Sequence, residues 1–158
     1  MENSTIRQGQ RRDPYRGFKF RVLIDGFESA GFKSVDGLSV ETEVVEYREG
    51  TDGGHVHKLP GLTTFEDLVL ERGKSERNDL ENMQRLVYDL ESGRGQPDPL
   101  FRKNCTIELR NYNDRVVKRW QIKHAWINKL SHSTLDASSS EVFIETATMC
   151  HEGCSVIL

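Results

Sequence analysis

Three groups of residues in the chain have types and spacing that could carry chemistry. His55 and His57 alternate, so on a strand both point to one face, as paired metal ligands do. Cys150, His151 and Cys154 lie close together near the C-terminal end and offer sulfur and nitrogen donors. Glu41, Glu43 and Glu46 supply carboxylates of the kind used in acid–base work. Each group falls short when its geometry is worked through. Zinc takes about four ligands, and His-x-His supplies two with no evident third. On a strand Cys150 and Cys154 share a face but stand about 13 Å apart, too far for one ion. Glu41 and Glu43 at i and i+2 are the ordinary pattern of a solvated strand face. No phosphate-binding loop, G-x-S-x-G or H-E-x-x-H motif occurs. The reading is therefore no catalytic residue, no metal and no cofactor.

Composition narrows the function classes further. The chain has 158 residues, 35% hydrophobic and 30% charged, which predicts one domain across 1–158 with one lean core. The formal net charge of −3 argues against a nucleic-acid binder, and Arg16, Lys19 and Arg21 do not form a basic stripe. Apolar runs stay far below the roughly 20 residues of a membrane helix, so no membrane anchor is expected. The first residues are polar and lack the apolar core of a signal peptide, which predicts a cytoplasmic protein at synthesis. Three cysteines, Cys105, Cys150 and Cys154, do not make a disulfide framework; they read as small buried hydrophobes.

The elements that must position these residues are mostly strands. Residues 1–13 have no periodicity and read as an N-terminal arm, either flexible or ordered by assembly. In "FKFRVLI" (18–24), Phe18, Phe20, Val22 and Ile24 face one way. "LSVETEVVEYRE" (38–49) alternates as well, with Leu38, Val40, Thr42 and Val44 on one face and Glu41, Glu43, Val45 and Tyr47 on the other. "FEDLVLER" (65–72) is a third strand, with Leu68 and Leu70 on one face. The period then changes. Leu80, Met83, Leu86, Val87 and Leu90 recur at helical spacing, which predicts a helix over about 79–92, capped by Asn78 or Asp79 and stopped at Gly93. "CTIELR" and "VVKRWQIKHAW" bracket the turn "NYNDR". "KLSHSTLDASSSE" reads as a polar link, "EVFIETATMC" (141–150) as a strand, and "SVIL" as a last strand or docking segment. Strands followed by one helix and more strands predict a mainly β fold, an antiparallel barrel or sandwich with one flanking helix.

With chemistry scarce, the unexplained surplus is "VEYREGTDGGHVHKLPGLTTFEDLVLERG" (45–73). Its flanks read as the strands of an extended hairpin over about 40–72, and its middle, Gly50 to Leu62, as an extended loop. Long strand edges recruit partners unless protected. The residues alone leave two readings, an ordinary mobile surface loop or an interface with a neighbouring subunit; on the second, the inter-subunit contact candidates are Tyr47, Arg48, Glu49, His55, His57, Lys58, Leu59, Pro60, Leu62 and Phe65.

"DPYRGFKFRVLIDGFESAGF", "VETEVVEYREG" with "KLPGLTTFEDLVLERG", and "EVFIETATMCHEG" resemble the tail-tube proteins of contractile phages and phage-derived injection particles. The likeness runs from about Asp13 to Gly153. It implies a β-barrel-like domain with a flanking helix, six-membered rings, and a hollow tube of stacked rings driven through a target envelope by a contracting sheath. The secreted ring protein of type six secretion is a structural relative. The resemblance thus implies a structural protein whose partners are its own copies and the sheath, baseplate and spike. Protein cargo would fill the lumen, and nucleic acid only in a DNA-carrying phage. It also implies a way out of the cell inside a particle. Two alternatives stay open: a secreted ring acting as effector carrier, and a specialised ring near the baseplate.

Overall fold

In the computed structural model the described residues are 19–25, 31–51, 53–74, 76–89, 91–93 and 97–158. The expected N-terminal arm, Phe18 and Leu90 lie outside them. The elements are β1 (Phe20–Ile24), β2 (Ser34–Asp36), β3 (Val40–Tyr47), β4 (His57–Phe65), β5 (Leu68–Gly73), α1 (Asp79–Arg85), β6 (Lys103–Arg110), β7 (Val116–His132), β8 (Ile144–Cys150) and β9 (Gly153–Val156). Seven strands form one antiparallel sheet in the order β1-β6-β7-β8-β5-β2, with β9 also on β7; β3 and β4 form a separate two-stranded sheet. Among the described residues the fold is mainly β and sandwich-like, with one helix, and the sheet does not close into a barrel.

The long strand β7 is the spine. Its first half pairs with β6 on one side and β9 on the other, and its second half pairs with β8. It changes direction at Lys123–His124, where two residues oppose Asn104 alone. His124 takes a φ of 55° there, and its N–H donates to Asn104 Oδ1 at 3.2 Å. Such a bulge bends a strand and increases its twist, which lets the sheet fold over one core. The alternating residues supply that core: Val22 and Ile24, Leu68 and Leu70, Cys105 and Ile107, Ile122 and Ile127, Ala147 and Met149, with Leu80 and Met83 from α1.

The helix is shorter than its apolar spacing predicts, ending at Arg85 rather than near residue 92. The Leu86 N–H bonds to the Met83 carbonyl, three residues back, which tightens the last turn. The Leu86 carbonyl then accepts from the Asp98 N–H at 2.8 Å, a tertiary bond that replaces another helical turn. Gly93, with φ of 69°, lies beyond the stop. Asn78 occupies the N-cap position without a side-chain cap bond. The expected polar link after residue 128 is in part strand: β7 continues to His132 because β8 covers that edge. The strand expected from Glu141 starts at Ile144.

The hairpin differs most from expectation. β3 pairs with β4, and the "FEDLVLER" segment instead enters the main sheet as β5, between β8 and β2. The predicted loop Gly50–Leu62 is strand from His57 onward. Pro60 and Gly61 disguise it. In a two-stranded sheet each strand has a free edge, where a missing N–H costs no ladder bond.

Candidate assembly interface

β3 and β4 pair from Val40↔Phe65 at the root to Tyr47↔His57 near the tip. Between Thr42↔Thr63 and Val44↔Pro60, Glu43 alone faces Gly61 and Leu62, so β4 bulges. Gly61 suits that bulge: a Cβ there would sit 3.0 Å from Val45 Cγ2 and 3.3 Å from Glu43 Cβ. The register sorts the side chains. One face carries Val40, Thr42, Val44 and Glu46 with Phe65, Thr63, Pro60 and Lys58. The other carries Glu41, Val45 and Tyr47 with Thr64, Leu59 and His57. The Thr42 and Thr63 hydroxyls bond across the strands at 2.9 Å.

Every residue of both strands is exposed except Phe65. Seven large apolar residues stand in solvent over this stretch: Val40, Val44, Val45, Tyr47, Val56, Leu59 and Leu62, the last at 75% exposure. An isolated two-stranded hairpin is marginal in water. Both faces carry apolar side chains, and among the described residues neither outer edge pairs with another strand, features that generally mark interaction surfaces. Residues 40–65 also hold five carboxylates (Glu41, Glu43, Glu46, Glu49, Asp52) against Arg48 and Lys58, a net −3 that equals the formal charge of the whole chain.

The ten contact candidates all fall in this arm. Tyr47 ends β3 and donates its hydroxyl to Glu49 Oε1 at 3.1 Å. Arg48, Glu49 and His55 lie between the strands, and His57, Lys58, Leu59, Pro60 and Leu62 are on β4. Phe65 is at the root and half-buried, with its ring 5.7 Å from the His151 ring. Sequence reasoning passed over Val40, Val44, Val45 and Val56. The alternation of β3 contained the first three, but only the pairing with β4 shows that neither face meets the core.

The root itself is tightly built. Gly37 has φ of 96°, and a Cβ there would lie 2.1 Å from the Asp67 carbonyl oxygen, so only glycine fits. The Glu66 N–H reaches the Ser39 carbonyl at 3.4 Å, and His151 Nε2 lies 2.9 Å from the Glu66 carbonyl.

The possible metal ligands fall on different elements. The His55 and His57 rings are 5.1 Å apart, edge to face. Neither belongs to any group of three possible ligands among the described residues. Cys150 and Cys154 sit on different strands, opposite Trp126 and Ile122. All three cysteines are free, and burial pushes each thiol up, that of Cys105 to about 12.

One ligand-like group does form, with donor atoms of Glu81, His132 and Glu145 within 4.8 Å of one another. Lys74 supplies its positive charge: Nζ bonds Glu81 Oε1 and lies 3.4 Å from Glu145 Oε1. Arg72 Nε donates to the other oxygen of Glu145 at 3.0 Å, and the same guanidinium holds Asp79. Burial opposes these charges, yet the pairings win, so Asp79 and Glu81 titrate below the usual carboxylate range. The network ties α1 to β5, β7 and β8 and reads as structural.

A family model described as T4-like virus tail tube protein gp19 matches residues 16–155. The chain belongs to this tail tube family. A tail tube protein of Serratia phage KSP90 is 32% identical over 101 residues, which is 59% of this chain and 55% of that protein. Solved structures share the fold. A chain of the PVC extracellular contractile injection system, in its extended sheath–tube complex, matches with a TM-score of 0.75 at 23% identity, covering 90% of each chain. A chain of the six-fold symmetrised anti-feeding prophage baseplate matches at 0.75 with 25% identity, covering 93% of this chain and 97% of its own. Hcp1 from Flavobacterium johnsoniae matches at 0.52 with 13% identity, over 87% and 94%. Tail tube proteins of this family are structural components.

Proposed function

We propose that this protein is the building block of the inner tube of a contractile injection system or phage tail. Copies close into six-membered rings, the rings stack, and the lumen carries cargo when a surrounding sheath contracts. The protein is not an enzyme on this reading. Its partners are its own copies, then the sheath, baseplate and spike. It works in a phage tail or a released injection particle.

One observation carries the reading: the β3–β4 sheet is exposed on both faces and apolar on both. Burying one such side chain fully is worth about 1.5–3 kcal/mol, so an arm of seven has ample free energy to hold a neighbour. Charge selects the kind of contact. Two arms of net −3 repel each other, which disfavours arm-to-arm pairing across a two-fold axis. A head-to-tail contact with a different surface is left, and such contacts close into rings or propagate as filaments. The likeness to the sheath–tube chain, closer than that to Hcp1, supports a continuous tube over a secreted carrier ring. The baseplate match favours a second reading, a ring next to the baseplate rather than the main tube.

The test shortens the arm. Val40 and Phe65 are register partners, so residues 41–64 can be replaced by a two-residue hairpin turn. The expected variant keeps its β circular dichroism and its cooperative melt but forms no rings or tubes by negative-stain microscopy. Normal tubes from this variant would remove the arm from the assembly mechanism.

A further inference from the structure

We propose that His151 is a positioning residue, a latch that sets the angle of the β3–β4 arm before subunits meet. The inference rests on the tube-subunit reading and adds to it how the arm is aimed.

A carbonyl oxygen only accepts, so the His151 nitrogen 2.9 Å from the Glu66 carbonyl must carry the proton: Nε2–H donates to Glu66. Glu66 is the first residue after β4, and His151 joins β8 to β9 beside the spine β7. The bond therefore runs from the body of the sandwich to the pivot of the arm. The other ring nitrogen, Nδ1, is buried with no hydrogen-bond partner among the described residues. A buried unpaired acceptor is a cost, and a leucine of similar size would avoid it. The offsetting gain is the bond to Glu66, reinforced by the Phe65 ring.

The arm's second connection is equally constrained. The chain enters β3 through Gly37, whose N–H bonds Asp36 Oδ1 at 2.8 Å and whose missing Cβ makes room for the Asp67 carbonyl. Entry and exit strands are then pinned to each other by the Glu66-to-Ser39 bond. Gly37 fixes one strand of the root and His151 the other.

Leverage makes the latch matter. β3 has eight residues. At about 3.4 Å per residue the arm is roughly 27 Å long. A rotation of about 10° at the root moves its tip by roughly 5 Å on that length, enough to lose a packed contact. An arm held at its binding angle also avoids the ordering cost that a loose one meets on association.

The experiment uses the full chain and two substitutions. His151→Leu removes the donor and keeps the bulk; His151→Gln keeps an N–H donor at about the same reach. The readouts are the protein concentration at which rings or tubes first form, by sedimentation, and hydrogen exchange of the Glu66 amide below that concentration. His151→Leu should raise the threshold about tenfold, the factor for one lost hydrogen bond of about 1.4 kcal/mol, and speed Glu66 exchange. His151→Gln should stay within about threefold of wild type. An unchanged threshold in His151→Leu overturns the latch, and so does equal failure of both variants. If His151→Leu does not fold, the wild-type tautomer decides: a neutral His151 ring protonated at Nδ1 rather than Nε2 by nitrogen-15 NMR means no latch, and an Nε2–H ring supports it. The arm-shortened protein separates the two claims. Tubes from it defeat the interface reading, whereas its failure beside a normal His151→Leu defeats only the latch.

Discussion

Leu62→Ser is the sharpest single perturbation of the arm. Leu62 is 75% exposed and lies at the bulge of β4, so the folded subunit gains little from it. Its transfer value in an interface is different. Fully burying a leucine contributes about 1.5–3 kcal/mol, and three-quarters of the side chain is still available, which leaves about 1–2 kcal/mol per subunit joined. At about 1.4 kcal/mol per factor of ten, the concentration needed for assembly should rise about 5- to 30-fold. The stability of the unassembled subunit should change by less than about 0.5 kcal/mol, as for other exposed sites. Sedimentation velocity across a dilution series gives the first number, and urea denaturation below the assembly threshold gives the second. An assembly threshold within about twofold of wild type would show that Leu62 stays in water in the tube, and the arm would lose its central apolar contact.

Three other outcomes follow from the body of the subunit. Arg72→Met leaves Glu145, which is 0% exposed, with Lys74 and His132 as its basic neighbours and the Glu81 carboxylate still within 4.8 Å. Breaking such a buried pairing costs about 3 kcal/mol, so the melting temperature should fall by about 6–12 °C in calorimetry. Asp79 titrates below its ordinary range in the folded state because Arg72 outweighs the cost of its burial. A depressed folded pKa gives stability that is full above the unfolded value and is lost as pH falls through the folded one; the wild type should therefore weaken below about pH 4, and Asp79→Asn should show a shallower acid slope in melts from pH 6 to 3. Cys105, with its thiol near 12, should resist a thiol reagent at pH 8 until the protein unfolds, a point that a timed colorimetric titration of free thiols checks.

The sandwich was largely legible in the chain because period-two alternation survives wherever one strand face is buried. Val22 and Ile24, Leu68 and Leu70, and Ala147 and Met149 lie in the core as their spacing implies. Leu80 and Met83 place the helix, but its end depends on the Leu86–Asp98 bond, which no local signal encodes. β4 escaped notice for a different reason. A strand in a two-stranded arm has no buried face, so it needs no apolar alternation and tolerates Pro60 and Gly61. The arm was still recognisable as a surplus of edge and charge around Val45–Gly73. The ion network could not be read at all: Arg72, Asp79 and Glu145 are brought together only by the pairing of β5 with β8 and the packing of α1. His151 was legible as a candidate ligand beside two cysteines, whereas the fold turns it to a backbone carbonyl at the root of the arm.

Electron cryo-microscopy of the purified wild-type protein at high concentration shows whether the β3–β4 arm joins subunits into a tube. The expected result is hollow tubes of stacked six-membered rings in which Val44, Val45, Leu59 and Leu62 are buried against a neighbouring subunit. A protein that stays monomeric at high concentration, or rings in which the β3–β4 arm projects into solvent, would contradict it.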